Sequence, residues 1–197
     1  MSTPEPVVRQ HLQGQAPPRL PLSAAAEHAV VYLFEDSQSC LNVDGLGGGR
    51  AHLSPGEWLC APRAHAELQL QGIRDLSVHG VVLALGPSPV QRRLFSKCEI
   101  PVAIGPGWRV RILAGAACGK SAPCSGGHIA MFDVFLEPGA MLADAAFADA
   151  NIEVIAGEIS VGARQLAAGA VSILADAETA LQATQRAHIL LTRGLAL

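Results

Sequence analysis

The chain has 197 residues, enough for one large domain or two small ones. Hydrophobic residues make up 50% of it and charged residues 16%, a composition that supports a sizeable core and excludes global disorder. The net charge of -3 leaves no excess of Lys and Arg for phosphate contacts, so direct nucleic-acid binding is not expected. No run of about 18 apolar residues lacks polar interruption, which argues against a membrane span.

The amino-terminal segment, residues 1–20, is rich in proline and polar residues. It has neither the apolar segment nor the small-residue cleavage site of a secretory signal. We expect it to form a leader that is mobile or lies against a folded domain. The cysteines are an odd, scattered set without a C-x-x-C pair, which indicates reduced thiols and a cytoplasmic protein. They are Cys40, Cys60, Cys98, Cys118 and Cys124.

Short runs with the composition of β-strands follow, separated by glycine and proline. The clearest are residues 29–34, 67–71, 80–85, 109–113, 129–136 and 152–155. Runs of this length and spacing predict an all-β sandwich or barrel. Segment 176–191 is rich in helix-forming residues. The strand-like run 171–174 before it, and an internal repeat, nevertheless favour strands there.

The internal repeat relates the two halves of the chain. Residues 29–56 and 152–169 both begin with a strand and end in a Leu-x-x-Gly turn. Farther along, the strand that starts at His79 matches the one that starts at His188. A period of about 110–120 residues predicts two small β barrels in tandem.

One stretch of sequence, residues 106–142, carries the clearest family pattern. An A-G-x-x-x-G-x-x-x-P segment begins at Ala114, and an L-x-P-G-A segment begins at Leu136. This stretch resembles the pirin family, a branch of the bicupins, and His79-Gly80 resembles a further strand of that family. The resemblance implies two tandem cupin jelly-roll barrels, which we place at residues 21–104 and 105–197.

The resemblance also implies one metal, usually iron, in the amino-terminal barrel, held by three His and one Glu. The family's H-x-H positions fall on Leu22 and Ala24, so those two imidazoles are absent. Its H-x-E motif falls on His65 and Glu67. His28 is the nearest spare imidazole, and a bulge would be needed to bring it to the site.

The remaining donors make only part of a metal centre. His65 and Glu67 stand two apart, so on a strand they share one face and could both enter the barrel. A non-haem iron centre needs at least two His and a carboxylate. Three interpretations stay open: a working iron site, a weak divalent-cation site that includes His28, and a metal-free barrel. The last, with no cofactor, is favoured.

Three functions compete, and no catalytic residue is identified. The favoured one is a non-catalytic protein that binds small molecules or regulates partners, with Tyr32, His65 and Glu67 as ligand-binding groups. The second is an Fe(II)-dependent oxygenase of the quercetin 2,3-dioxygenase kind. The third is a protein-interaction module that acts as a transcription or enzyme co-regulator. A nucleophilic role for Cys118 would need a base within reach. The sequence does not specify an oligomeric state.

Overall fold

The computed structural model describes residues 9–17, 19–22, 26–72, 76–85, 92–123, 129–175 and 179–194. The chain is all-β and divides into two compact units, the first ending at Glu99 and the second beginning at Ile100. The sequence analysis had set this boundary five residues later. No helix in the described ranges is long and apolar enough to cross a membrane.

The described residues of the amino-terminal unit form nine strands. They are β1 (Arg9–Gly14), β2 (Arg19–Pro21), β3 (His28–Leu33), β4 (Leu41–Asp44), β5 (Ala51–Leu53), β6 (Trp58–Pro62), β7 (Glu67–Gly72), β8 (Val78–Leu85) and β9 (Arg93–Phe95). A 3-10 turn at Lys97–Glu99 follows. Strands β1 and β2 lie within the segment that the sequence analysis treated as a leader. They form because residues 9–14 pair with β8 and residues 19–21 pair with β7.

The strand order of this unit is that of a jelly roll. One sheet runs β1-β8-β3-β6-β9 and the other runs β2-β7-β4-β5. The first strand therefore pairs with the eighth, the second with the seventh, the third with the sixth and the fourth with the fifth, all antiparallel. Two sheets connected in this way form a double-sheet jelly roll, and β9 is an addition at the β6 edge.

The carboxy-terminal unit contains twelve strands among its described residues. They are β10 (Val102–Gly105), β11 (Trp108–Ala114), β12 (Ala116–Ala117), β13 (Lys120–Ser121), β14 (Ala130–Leu136), β15 (Met141–Ala143), β16 (Asn151–Ala156), β17 (Glu158–Val161), β18 (Arg164–Ala167), β19 (Val171–Ile173), β20 (Ala180–Ala183) and β21 (Ala187–Arg193). A 3-10 turn lies at Ala145–Phe147. The described part of segment 176–191 is therefore β20 and the start of β21, as predicted from the repeat.

The second unit repeats the topology of the first. Its two larger sheets run β10-β11-β14-β21-β16-β19 and β15-β20-β17-β18, so β14 to β21 take the places of β1 to β8, and β12 and β13 form a separate two-stranded sheet. The additional strands β10 and β11 lie at the β14 edge, opposite to the edge where β9 is added in the first unit.

Backbone hydrogen bonds align the two units residue by residue. Leu33 donates its N–H to Glu57 O at 3.1 Å, and its carbonyl accepts from Gly56 N at 2.9 Å. In the second unit Val154 donates to Ala170 O at 3.0 Å and accepts from Gly169 N at 2.8 Å. These are the turns that end the two copies of the sequence repeat. Two tandem jelly rolls therefore account for the faint repeat.

Each unit buries an apolar core that its strands supply from one face only. In β3, residues Ala29, Val31 and Leu33 point into the first core, whereas His28, Val30 and Tyr32 lie on the other face of the sheet. In β7 the core side chains are Leu68 and Leu70. The parity of each strand thus decides which side chains reach the interior of the barrel.

Candidate functional site

The interior of the amino-terminal barrel is apolar where the family places its metal. Leu22 is 9% exposed and belongs to the apolar core. Its N–H donates to Ala66 O at 2.9 Å, so this segment does run beside the His65–Glu67 motif, as the resemblance implied. The other lost ligand position, Ala24, lies outside the described residues.

His65 and Glu67 lie on the outside of the barrel. His65 is in the bend before β7, and both side chains are exposed. Because Leu68 and Leu70 take the core face of β7, Glu67 takes the opposite one. A carboxylate oxygen of Glu67 lies 3.9 Å from an Arg19 guanidinium nitrogen, and both side chains are at least half exposed. The sequence analysis allowed both residues to enter the barrel, and in the structure both side chains are exposed.

His28 lies apart from that pair. It begins β3, is 9% exposed, and stands on the sheet face opposite to the core residues Ala29 and Val31. Its Nδ1 atom is buried and has no hydrogen-bond partner among the described residues. Within those residues no three His, Cys, Asp or Glu side chains come close enough to hold a metal ion. The three donors named from the sequence are therefore not brought together.

Iron, which the pirin resemblance implies, does not fit this donor set. A non-haem iron site needs at least two imidazoles and a carboxylate that converge on one point. Here Leu22 fills the interior, His65 and Glu67 point away from it, and His28 lies on the far side of its sheet.

Tyr32 belongs to a buried aromatic group on the outward side of the first unit's five-stranded sheet. Its ring meets Phe34 edge-on with centroids 5.2 Å apart, and Phe34 meets the His79 ring at 4.7 Å. Trp58 is stacked on Phe95 at 4.4 Å, with 8° between the ring planes. We call this set of rings the aromatic face. Tyr32 lies on the outward side of the five-stranded sheet and Glu67 on the outward side of the four-stranded sheet, so the predicted ligand-binding residues do not form one site.

The aromatic face contains a donor that lacks a partner. Trp58 is 3% exposed, and its Nε1 has no hydrogen-bond partner within the described ranges. An indole N–H can only donate, and leaving it buried without an acceptor costs about 1–3 kcal/mol. At the rim, His79 Nδ1 lies 2.8 Å from Asp36 Oδ1, and the Asp36 side chain is 55% exposed. The face therefore combines flat apolar surfaces, one unused donor and a polar rim.

The second unit buries ionisable groups that the sequence analysis missed. His188 Nε2 lies 2.7 Å from Asp133 Oδ1, and the side chains are 6% and 0% exposed. The Phe135 ring stacks on His188 at 4.1 Å, and the Arg109 guanidinium lies 4.6 Å above the Phe135 ring. Arg111, cross-strand from Asp133, is 1% exposed. The signal was an ionisable residue inside each apolar strand, namely Arg111 in β11, Asp133 in β14 and His188 in β21.

This buried pair constrains the fold of the second unit. The structure gives His188 a buried carboxylate partner, Asp133. Breaking such a pair leaves a charge buried without compensation, which is strongly destabilising. We therefore assign Asp133 and His188 to packing of the sheet.

Comparisons with known proteins support the fold. No family model and no curated protein matches the sequence. Among solved structures, quercetin 2,3-dioxygenase from Acinetobacter baumannii superposes with a TM-score of 0.72 at 15% identity, covering 95% of this chain and 72% of that one. GK1651 from Geobacillus kaustophilus gives 0.68 at 16% identity, covering 96% and 77%. The pirin YhhW from Escherichia coli, in complex with nickel(II), gives 0.60 at 12% identity, covering 100% and 95%.

The first and third of these structures are cupin-superfamily proteins. The chain has a cupin fold. At such low identity the likeness concerns the fold, and the strand order of each unit agrees with it.

Cys118 is the cysteine whose chemistry the structure defines best. It adopts a positive φ of 51°, and its N–H donates to Asp144 Oδ2 at 2.6 Å. Burial first, and then the Asp144 charge and hydrogen bond, raise the pKa of the Cys118 thiol to about 11. Since the thiolate is the reactive form, this environment disfavours a nucleophilic role.

We expect Cys118 to react slowly with iodoacetamide at pH 8, because almost all of its thiol is protonated at that pH. Exposed Cys98 provides the internal comparison in the same molecule. Alkylation rates by peptide mass spectrometry should be at least about tenfold lower for Cys118 in the native protein and similar for the two after unfolding. A native Cys118 that reacts faster than Cys98 would contradict this electrostatic account.

Proposed function

We propose that this protein is a pirin-like cupin that binds small molecules, or regulates partners, without catalysis by a resident metal. The position of the donor residues is the observation that carries the proposal. The interior of the amino-terminal barrel holds Leu22 in place of an imidazole, and His65 and Glu67 lie outside it. An apolar jelly roll is held together by its core, so the barrel persists without an ion.

An oxygenase of the quercetin 2,3-dioxygenase kind is the weaker candidate. Its support is the similar fold of a protein of that name. Oxygen activation at iron needs convergent ligands with open positions beside them. Such a site would require His28, His65 and Glu67 to lie on a common face. The alternation of side chains along β3 and β7 opposes that arrangement. The geometry therefore favours binding over turnover.

We propose the aromatic face as the ligand contact. Tyr32, Phe34 and Phe95 are 0% exposed and Trp58 is 3% exposed, so a ligand reaches these rings only when the face opens. Trp58 Nε1 then supplies a donor for an acceptor oxygen or nitrogen on a planar aromatic molecule. Tyr32 lies in the same group of rings. A flavonol such as quercetin has the required flat shape and carbonyl acceptor, which makes it a suitable probe.

Metal binding tests the non-catalytic part of the proposal. Protein purified without a histidine tag is expected to contain no stoichiometric iron or nickel by plasma mass spectrometry. Anaerobic addition of Fe(II) should leave the midpoint of thermal unfolding unchanged, because the donors do not converge.

The His65→Ala variant is the control for the metal experiment. It should behave like the wild-type protein in both measurements, since the His65 side chain is exposed. One metal per chain in the wild-type protein, lost in His65→Ala, would overturn the proposal and make oxygen-dependent flavonol turnover the next assay.

Quercetin binding tests the aromatic face. By calorimetry we expect the wild-type protein to bind quercetin, without oxygen consumption. Trp58→Phe keeps a ring against Phe95 but removes the N–H, and should weaken binding about tenfold, the value of one hydrogen bond of about 1.4 kcal/mol.

The matched control is Trp108→Phe, which changes the half-buried tryptophan of the second unit. It should bind quercetin like the wild-type protein. Failure of the wild-type protein to bind, or equal affinity for the Trp58→Phe variant, would contradict the assignment of this face.

A further inference from the structure

The turn between β4 and β5, residues 45–50, meets two other segments of the first unit. Gly47 donates its N–H to Pro62 O at 2.7 Å, which fixes the turn against the end of β6. Arg92, just before β9, donates from Nη2 to Arg50 O at 3.3 Å. Residues far apart in the sequence therefore converge on this segment, which we call the glycine turn.

Gly48 makes room for the Arg92 side chain. A Cβ at Gly48 would collide with the Arg92 guanidinium, and the backbone φ of +91° also favours glycine there. Arg92 is half-buried, whereas Arg50 is exposed. The Arg92 guanidinium is therefore held against the backbone of the glycine turn instead of extending into solvent.

The guanidinium groups of Arg50 and Arg92 lack the carboxylate partners that other exposed arginines have. Ion pairs with glutamates are formed by Arg19, Arg93 and Arg186. In the described part of the chain, Arg50 instead donates to Gln71 Oε1 at 3.2 Å, and Arg92 binds only the Arg50 carbonyl. Each guanidinium therefore keeps several of its five N–H donors for an anion, and exposed Arg50 can turn from Gln71 toward one.

The backbone of the glycine turn presents further donors. Gly48 and Gly49 are exposed, and their N–H groups have no acceptor among the residues that the structure describes. Asp44, the carboxylate closest in sequence, accepts from Gly45 N at 2.8 Å. The turn thus combines unused backbone donors with two guanidinium charges that form no ion pair in the described residues.

We propose that the glycine turn binds a phosphate group through Arg50, Arg92 and the N–H groups of Gly48 and Gly49. A guanidinium offers parallel N–H donors that match phosphate oxygens, and backbone N–H groups in turns bind the same oxygens. A phosphate monoester carries a charge of about -1.5 to -2 at neutral pH, which suits two guanidinium groups better than a single carboxylate does. The site involves neither the aromatic face nor a metal, so it goes beyond the proposed function.

Amide NMR of the isotope-labelled full chain tests the site directly. Inorganic phosphate should shift the Gly48 and Gly49 amide resonances in a saturable way, with a dissociation constant of about 1 mM or lower. Sodium chloride at matched ionic strength is the reference and should give no saturable shift. Equal shifts with chloride would overturn the proposal, because they would report ionic strength alone.

Charge-neutral variants test the two arginines. Arg50→Gln/Arg92→Gln should weaken phosphate binding at least about tenfold, since both charge-assisted contacts are lost. Arg186→Gln/Arg193→Gln removes the same number of charges at exposed positions of the second unit and should bind phosphate like the wild-type protein. Unaltered affinity in the first variant, or an equal loss in the control, would overturn the proposal.

Phenyl phosphate distinguishes the two sources of the phosphate group. Tighter binding than that of inorganic phosphate supports a phosphorylated small molecule as the ligand, and equal binding supports free phosphate. In both cases the Gly48 and Gly49 amides should shift. Phenyl phosphate that binds without shifting them would contradict the assignment of the site to the glycine turn.

Discussion

The alternation of side chains along the strands is the constraint on which the amino-terminal unit depends. Each strand of a jelly roll gives one face to the core and the other to the outside. Leu68 and Leu70 take the core face of β7, and this choice alone sends Glu67 outward. The apolar core therefore places Leu22 inside and Glu67 outside, and within the described residues the donors of a cupin metal centre are not brought together.

Much of the fold could be predicted from the sequence because turns and repeats are local signals. The Leu-x-x-Gly turns at Gly56 and Gly169 mark equivalent hydrogen-bonded positions in the two units. Only glycine suits the turn at Gly157, with a φ of +79° and a position where a Cβ would collide with the Arg186 carbonyl. Segment 176–191 is rich in helix-forming residues, yet β20 and β21 form there. Their pairing with neighbouring strands outweighs the helix propensity of the segment.

The candidate site could be predicted less well, because a one-residue change of register reverses every face of a strand. The sequence placed His65 and Glu67 on a common face but could not say which face. It also grouped Tyr32 with them, although β3 turns Tyr32 away from the core. The sequence also did not predict that residues 9–14 pair with β8. That segment is a strand because of its pairing in the folded unit and not because of its composition.

The central claim is that strand parity, and not merely the loss of two histidines, prevents a metal centre. Restoring the family's residues tests it directly. Metal binding by a Leu22→His/Ala24→His variant should be measured by anaerobic titration with Fe(II) and Ni(II), alone and combined with His65→Ala. The account predicts no metal site that depends on His65, together with lower stability because an imidazole replaces an apolar core residue. Stoichiometric binding abolished by His65→Ala would contradict it.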